Sequence, residues 1–265
     1  MEFGKKYSYL EMMQYLKMLQ TKYSDTLFIE SIGTTICKRS IPMLIFGSGE
    51  KQMIVTGGVH GRESINPVVL IQMAEDYLAN QTMAEQMSGR IYMIPLLNPD
   101  GYEIATTSDA HWKNNAHGID INRNFPSKTF QKKWEGDLPG SEEETKALMK
   151  VFDCIHADGY LDIHSRGNSI YYYRSQMSEA YNRKQKRIAS VLSAVTGYTL
   201  EDAAHEIDSK DSGGNTVHFF SEYFEKPALT IETVSEEEKF PLDVALQKET
   251  YLQIKDILFV FLKTI

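Results

Sequence analysis

Three segments of this sequence hold residue types that bind metal ions or move protons. The stretch Val55-Thr56-Gly57-Gly58-Val59-His60-Gly61-Arg62-Glu63 leaves an apolar run through a glycine-rich corner and sets an imidazole three residues ahead of a carboxylate. That spacing lets both side chains turn toward one point near the mouth of the following helix. An imidazole nitrogen and a carboxylate oxygen converging there are a ligand pair that zinc accepts, and a catalytic zinc needs one more protein ligand plus an open position. His164 is the best candidate for the third ligand. The segment Leu161-Asp162-Ile163-His164-Ser165 places it at the C-terminal end of a buried strand, where open α/β sheets gather their sites. Taken singly, a histidine after a strand is more often a hydrogen-bonded structural residue, and His111, His117, His156, His205 and His218, which have no comparable partners, are read that way.

The elements that must position these residues are legible as an alternation. Residues 7–23 carry Tyr9, Leu10, Met13, Tyr15, Leu16 and Leu19 at helical spacing, which predicts an amphipathic opening helix. Short apolar runs at 26–31, 41–47 and 52–56, separated by turn residues, predict strands joined partly as hairpins and hence a mixed sheet. Helical patterns follow at 67–80, 141–156, 178–196, 216–224 and 242–263, the second opened by a Ser-x-x-Glu cap and the last read as one long closing helix. Strands are expected at 90–96, 160–163 and 228–231. The fold class is α/β, a mixed sheet sandwiched between helices. Between Gly101 and Pro139 there is little periodicity, and a loop of that length in a compact domain is read as functional.

Bulk properties narrow the function. With 265 residues and 42% apolar content the chain suits one large domain over 1–265. A net charge of −8 argues against a face that tracks phosphates, so no nucleic-acid partner is expected. Cys37 and Cys154 read as separate buried thiols rather than a disulfide framework. The N-terminus lacks the apolar stretch of a secretory signal and the 257–262 run is too short to cross a bilayer, so the expectation is a cytoplasmic protein with no membrane span. No repeat or low-complexity linker divides the chain.

In order along the chain, Gly-Val-His60-Gly-Arg62-Glu63, Asn98-Pro99-Asp100-Gly101-Tyr102, Asp120-Ile121-Asn122-Arg123-Asn124-Phe125, His164-Ser165 and Thr230-Ile231-Glu232 resemble the zinc carboxypeptidase (M14) family, over about residues 50 to 235. The resemblance implies a mixed, roughly eight-stranded sheet between helices, and one zinc ion per chain held by His60, Glu63 and His164. It makes Glu232 the catalytic carboxylate and Asn122 with Arg123 the pair that holds a small peptide's free carboxylate. Residue chemistry agrees with these roles: a carboxylate at a strand end can take a proton from water and return it to a leaving amine, and a guanidinium fork matches a carboxylate bidentately. Arg62 matches a substrate-facing arginine of the family or else neutralises nearby carboxylates. Ser165 and Thr216 are placed among the substrate-facing residues.

Two departures qualify the match. Where digestive carboxypeptidases follow a tryptophan with an oxyanion-stabilising arginine, this chain has Trp112-Lys113, and Lys113 either supplies that charge as a point cation or is a solvated lysine. The lid tyrosine those enzymes carry a few residues before a Ser-Gly-Gly turn is missing ahead of Ser212-Gly213-Gly214. The Trp-Lys-x-Asn and Asp-Ile-Asn-Arg-Asn-Phe-Pro wording looks more like the bacterial γ-D-glutamyl-diamino acid peptidases, which cleave the bond between γ-D-glutamate and diaminopimelate. A polar turn at 208–215, with Lys210, Asp211 or Arg166 contributing, suits the zwitterionic end of diaminopimelate. The alternatives are a conventional carboxypeptidase acting on α-linked peptides, or a zinc amidohydrolase of the aspartoacylase or succinylglutamate desuccinylase type.

Overall fold

A computed structural model describes residues 1–80, 88–133, 135–208 and 213–265. Lys210 and Asp211, and with them the position of the lid tyrosine, lie outside these residues.

Seven strands form one mixed sheet in the order β1 (Leu27–Thr34), β2 (Ser40–Gly57), β4 (Gly159–Ser165), β7 (Ala228–Thr233), β5 (Ser169–Tyr171) and β6 (Thr199–Leu200), with β3 (Ser88–Ile94) paired to β2. The register shows how β3 is accommodated. Leu44 lies opposite Met93 and Gly47 opposite Arg90, in opposed directions, whereas Gln52 to Thr56 run alongside Arg90 to Ile94. The two halves of β2 therefore flank β3. These are the two runs that the sequence separates at 41–47 and 52–56, and counted separately they make the eight strands expected.

Side-chain alternation divides the sheet into two faces. Val55, Leu161, Ile163, Leu229 and Ile231 belong to a core shared with α1 (Tyr9–Lys22), α2 (Ile65–Ala79), α5 (Glu179–Thr196), α8 (Leu246–Ile254) and α9 (Ile257–Thr264). Ile54, Tyr160 and Ala228 point the other way. They pack with Phe152 of α4 (Glu143–Cys154) and with Phe219 and Phe220 of α7 (Thr216–Phe224). By the same alternation Thr56, Asp162, His164 and Glu232 lie on this second face, toward the C-terminal ends of the parallel strands. Among the described residues no helix is long and apolar enough to cross a membrane.

Several expectations are corrected. Within the 101–139 stretch, residues up to Thr107 belong to a helix, α3 (Pro99–Thr107): the Asn98 side chain accepts from the Gly101 amide at 2.9 Å, and proline at the first position needs no hydrogen-bond partner. The Ser-x-x-Glu cap at 141–144 does not form. The residue before α4 is Glu142, and Ser141 instead gives its hydroxyl proton to Glu142 at 2.6 Å and accepts from Asn124 at 3.1 Å. The closing helix breaks at Lys255-Asp256, which lets Ile254 before the break and Ile257, Leu258 and Phe261 after it all be buried. Cys37 and Cys154 are both exposed, not buried: one sits in the turn before β2 and the other ends α4 on its outer side, beyond the inward-facing Val151 and Phe152. Another small helix, α6 (Ala203–Asp208), and the short strands β5 and β6 carry too few apolar residues to show a period.

Candidate active site

His60 and Glu63 sit in the turn between β2 and α2. Gly61 is required there: a Cβ at this position would stand 2.2 Å from the Gly101 carbonyl oxygen, so only glycine lets the turn pack against the start of α3. The Gly61 amide also donates to the Lys113 carbonyl at 2.9 Å, which fastens the long loop to the turn. His164 comes from the end of β4, opposite Glu232 in the parallel ladder with β7.

These elements bring His60, Glu63 and His164 together, their ligand atoms within 4.8 Å of one another and all three residues buried. His60 Nδ1 lies 2.6 Å from Glu63 Oε1, and His164 Nδ1 lies 3.2 Å from both Glu63 Oε2 and His60 Nδ1. Two ring nitrogens and a carboxylate turned inward on one point, out of water, call for a cation between them. The outward nitrogens are held by carboxylates: His164 Nε2 stands 2.9 Å from Asp162, and His60 Nε2 stands 3.2 Å from Asp120. With a metal between the two Nδ1 atoms, each carboxylate would hold the ring proton on Nε2, the arrangement that raises ligand basicity.

The charges follow from this packing. Burial works to raise Glu63, but the two imidazoles hold it down to about 2. Burial likewise opposes ionisation of Asp162 and Asp120; His164 and the Thr216 and Thr56 hydroxyls keep the first charged, and His60, Lys113 and Arg123 keep the second charged. Glu232 is the exception. Its Oε2 is buried with no hydrogen-bond partner, and burial pushes its pKa up to about 7 despite the neighbouring imidazoles.

An open cavity of about 310 Å³ lies over this group. His60, Glu63, Glu232, Arg62, Lys113, Asn122, Arg123 and Ser165 from the sequence reading all line it. Asn122 accepts the Thr216 amide at 3.1 Å through Oδ1, and its Nδ2 stands 3.4 Å from His164 Nε2. Arg123 is held by its neighbours: Gly214, at φ +75, passes so close to the Arg123 backbone that a Cβ would lie 2.6 Å from its carbonyl oxygen. Lys113 donates to Asp120 at 2.7 Å, so its ammonium braces the carboxylate behind His60. Thr216 is fully buried and stands apart from the cavity wall; its hydroxyl donates to Asp162. The Ser165 hydroxyl is tied to Asn66 at 3.1 Å and Thr233 at 2.8 Å.

The sequence reading missed Asp162, Asp120, Thr56 and Asn66 as supporting residues. Asp162 had a usable signal: a charged residue two places before His164 on a buried strand shares its face.

Residues 12–249 match the zinc carboxypeptidase family, peptidase M14. The chain belongs to this family. It is 24% identical over 284 residues to gamma-D-glutamyl-L-diamino acid endopeptidase 1 of Lysinibacillus sphaericus, covering 89% of this chain and 67% of that protein. Over 187 residues it is 30% identical to carboxypeptidase Z of Mus musculus, covering 56% of this chain but only 28% of that longer protein. The bovine thrombin-activatable fibrinolysis inhibitor, solved in complex with tick carboxypeptidase inhibitor, superposes with a TM-score of 0.87 at 19% identity, covering 98% of this chain and 97% of that one. At that identity the superposition speaks for the fold.

Proposed function

We propose that this protein is a zinc peptidase that releases a C-terminal amino acid, and that its substrate is a cell-wall peptide ending in γ-D-glutamyl-diaminopimelate. The observation that carries the hydrolytic reading is the coexistence, around one cavity, of the inward-facing His60–Glu63–His164 group and the buried, unpartnered Oε2 of Glu232. A metal-binding module without catalysis gives no reason for the second feature, because an unpaired buried carboxylate is costly.

The residues fit zinc in number, type and spacing. Held there, zinc supplies Lewis-acid polarisation of the scissile carbonyl and of the attacking water. Glu232 takes the proton from that water and passes it to the leaving amine, as general base and then general acid. Arg123 and the Nδ2 of Asn122 bind the free carboxylate of the residue being released. Lys113 supports His60 through Asp120 and in addition presents a positive charge to the cavity.

For the substrate, the similarity to the diamino acid endopeptidase extends over 89% of this chain, whereas that to carboxypeptidase Z covers 56%. The second figure, at the higher identity, favours a rival reading as a conventional carboxypeptidase on α-linked peptides. The test is diaminopimelate release by the zinc-loaded protein from L-Ala-γ-D-Glu-diaminopimelate, beside an α-linked peptide of equal length. The γ-linked peptide alone should be cleaved, and Glu232→Gln should lower kcat by about 10²- to 10⁴-fold with zinc content retained. Cleavage of only the α-linked peptide overturns the substrate assignment; full activity in the variant overturns the role of Glu232.

A further inference from the structure

Four cationic side chains line the cavity, against the carboxylates of Glu63, Glu232 and Glu236. Besides Arg123 and Lys113, it is lined by Arg62 and Arg166. These two guanidinium groups share one aromatic platform, with Arg62 Cζ at 4.3 Å and Arg166 Cζ at 5.8 Å from the centre of the Phe240 ring. Each has a buried Nε–H that meets no acceptor. Arg166 is anchored by one Nη1 hydrogen bond to the Glu236 carbonyl. Glu236, Glu237 and Glu238 are exposed in the same loop, yet among the described residues neither arginine makes an ion pair.

Two like charges gathered on one ring repel each other, and two buried unpaired donors cost free energy, so the arrangement is complete only with an anion against it. A planar fork with unused N–H groups suits a carboxylate or another oxyanion. Arg123 and Asn122 stand on a different wall, held by Gly214 and Thr216, whereas Arg62 and Arg166 are held by Phe240 and the segment after β7.

We propose that Arg62 and Arg166, seated on Phe240, form a second anion subsite that binds a free carboxylate on the acyl side of the scissile bond. Arg166 is the residue that makes the enzyme select acyl donors carrying such a group. In a γ-linked glutamyl donor that group is the α-carboxylate, four bonds from the reacting carbonyl carbon. Assigning it to a γ-glutamyl donor rests on the wall-peptide reading above; the subsite itself does not.

The test compares kcat/KM for L-Ala-γ-D-Glu-diaminopimelate with its α-carboxamide counterpart, a neutral substrate of the same shape. The wild type should prefer the carboxylate by about 10- to 100-fold, the range expected for a charge-assisted hydrogen-bond pair. Arg166→Gln should collapse that ratio toward unity and Arg166→Lys should keep part of it. The ratio is read within one protein, so partial misfolding cancels. Equal cleavage of both substrates by the wild type, or an undiminished preference in Arg166→Gln, overturns the subsite while leaving the wall-peptide reading intact. Should only α-linked peptides be cleaved, the wall-peptide reading fails alone, and the same preference is then expected for glutamate over glutamine before the scissile bond. If neither peptide turns over, the ratio is read as Kd by calorimetry on the zinc-loaded protein, with the same expected and overturning results.

Discussion

Replacing Asp162 by asparagine separates the metal ligands from what orients them. Asp162 is fully buried; it accepts from Thr56 at 2.6 Å and from Thr216, and stands 2.9 Å from His164 Nε2. An asparagine here has one acceptor oxygen for two threonine hydroxyls and an imidazole N–H. If its amide NH₂ faces His164, the ring proton must move from Nε2 to Nδ1, which is the atom facing His60 and Glu63. The substitution therefore obstructs the metal position without touching a ligand. Loss of a supporting carboxylate of this kind weakens metal binding by about 10- to 100-fold, equivalent to about 1.4 to 2.7 kcal/mol. The assay is competition for zinc against a chromophoric chelator at fixed pH, with circular dichroism to establish that the metal-free variant is folded. A folded variant with unchanged zinc affinity would refute the reasoning, because the Asp162–His164 contact would then be a packing detail.

Proton release gives an independent reading of the same group. Burial opposes charge on His164, but Asp162 and Glu63 on either side hold its pKa well above the ordinary imidazole value in the metal-free protein. Zinc binding at neutral pH must then expel about one proton, so affinity falls as pH is lowered; calorimetry in buffers of different ionisation enthalpy measures this, and no release contradicts it. For activity, Glu232 must be ionised to accept a proton, and a divalent cation beside it lowers the value of about 7 that burial and the neighbouring side chains set in the metal-free protein. The rate kcat/KM should therefore rise with pH along a limb at or below neutrality, and an acid-limb pKa above that value would show that another group titrates. In the core, Phe152 has no exposure and stands 5.0 Å from both Tyr160 and Phe220, ring centre to ring centre. Phe152→Ala should cost about 3 to 5 kcal/mol by urea unfolding, and a loss under about 1 kcal/mol would mean that the cluster repacks around the void.

The candidate site residues were legible in the sequence because their spacing is local: His60 and Glu63 share one turn, and Glu232 closes one apolar strand. Strong periodicity made the long helices and the parallel strands legible too, although β4 and β7 each run two residues beyond their apolar runs, which carries His164 and Glu232 into the ladder. Only the tertiary structure decided what stands behind and around these groups. Thr216 reads as a pocket residue in sequence and is turned inward to Asp162, because α7 begins directly over the strand ends. Lys113 gives its nearest hydrogen bond to Asp120, seven residues on, and Arg62 meets Arg166 across Phe240, a contact between three separate segments. Ligand identity follows from residue type and short spacing, whereas the orientation of a ligand and the charge around a pocket depend on which distant segments the sheet brings together.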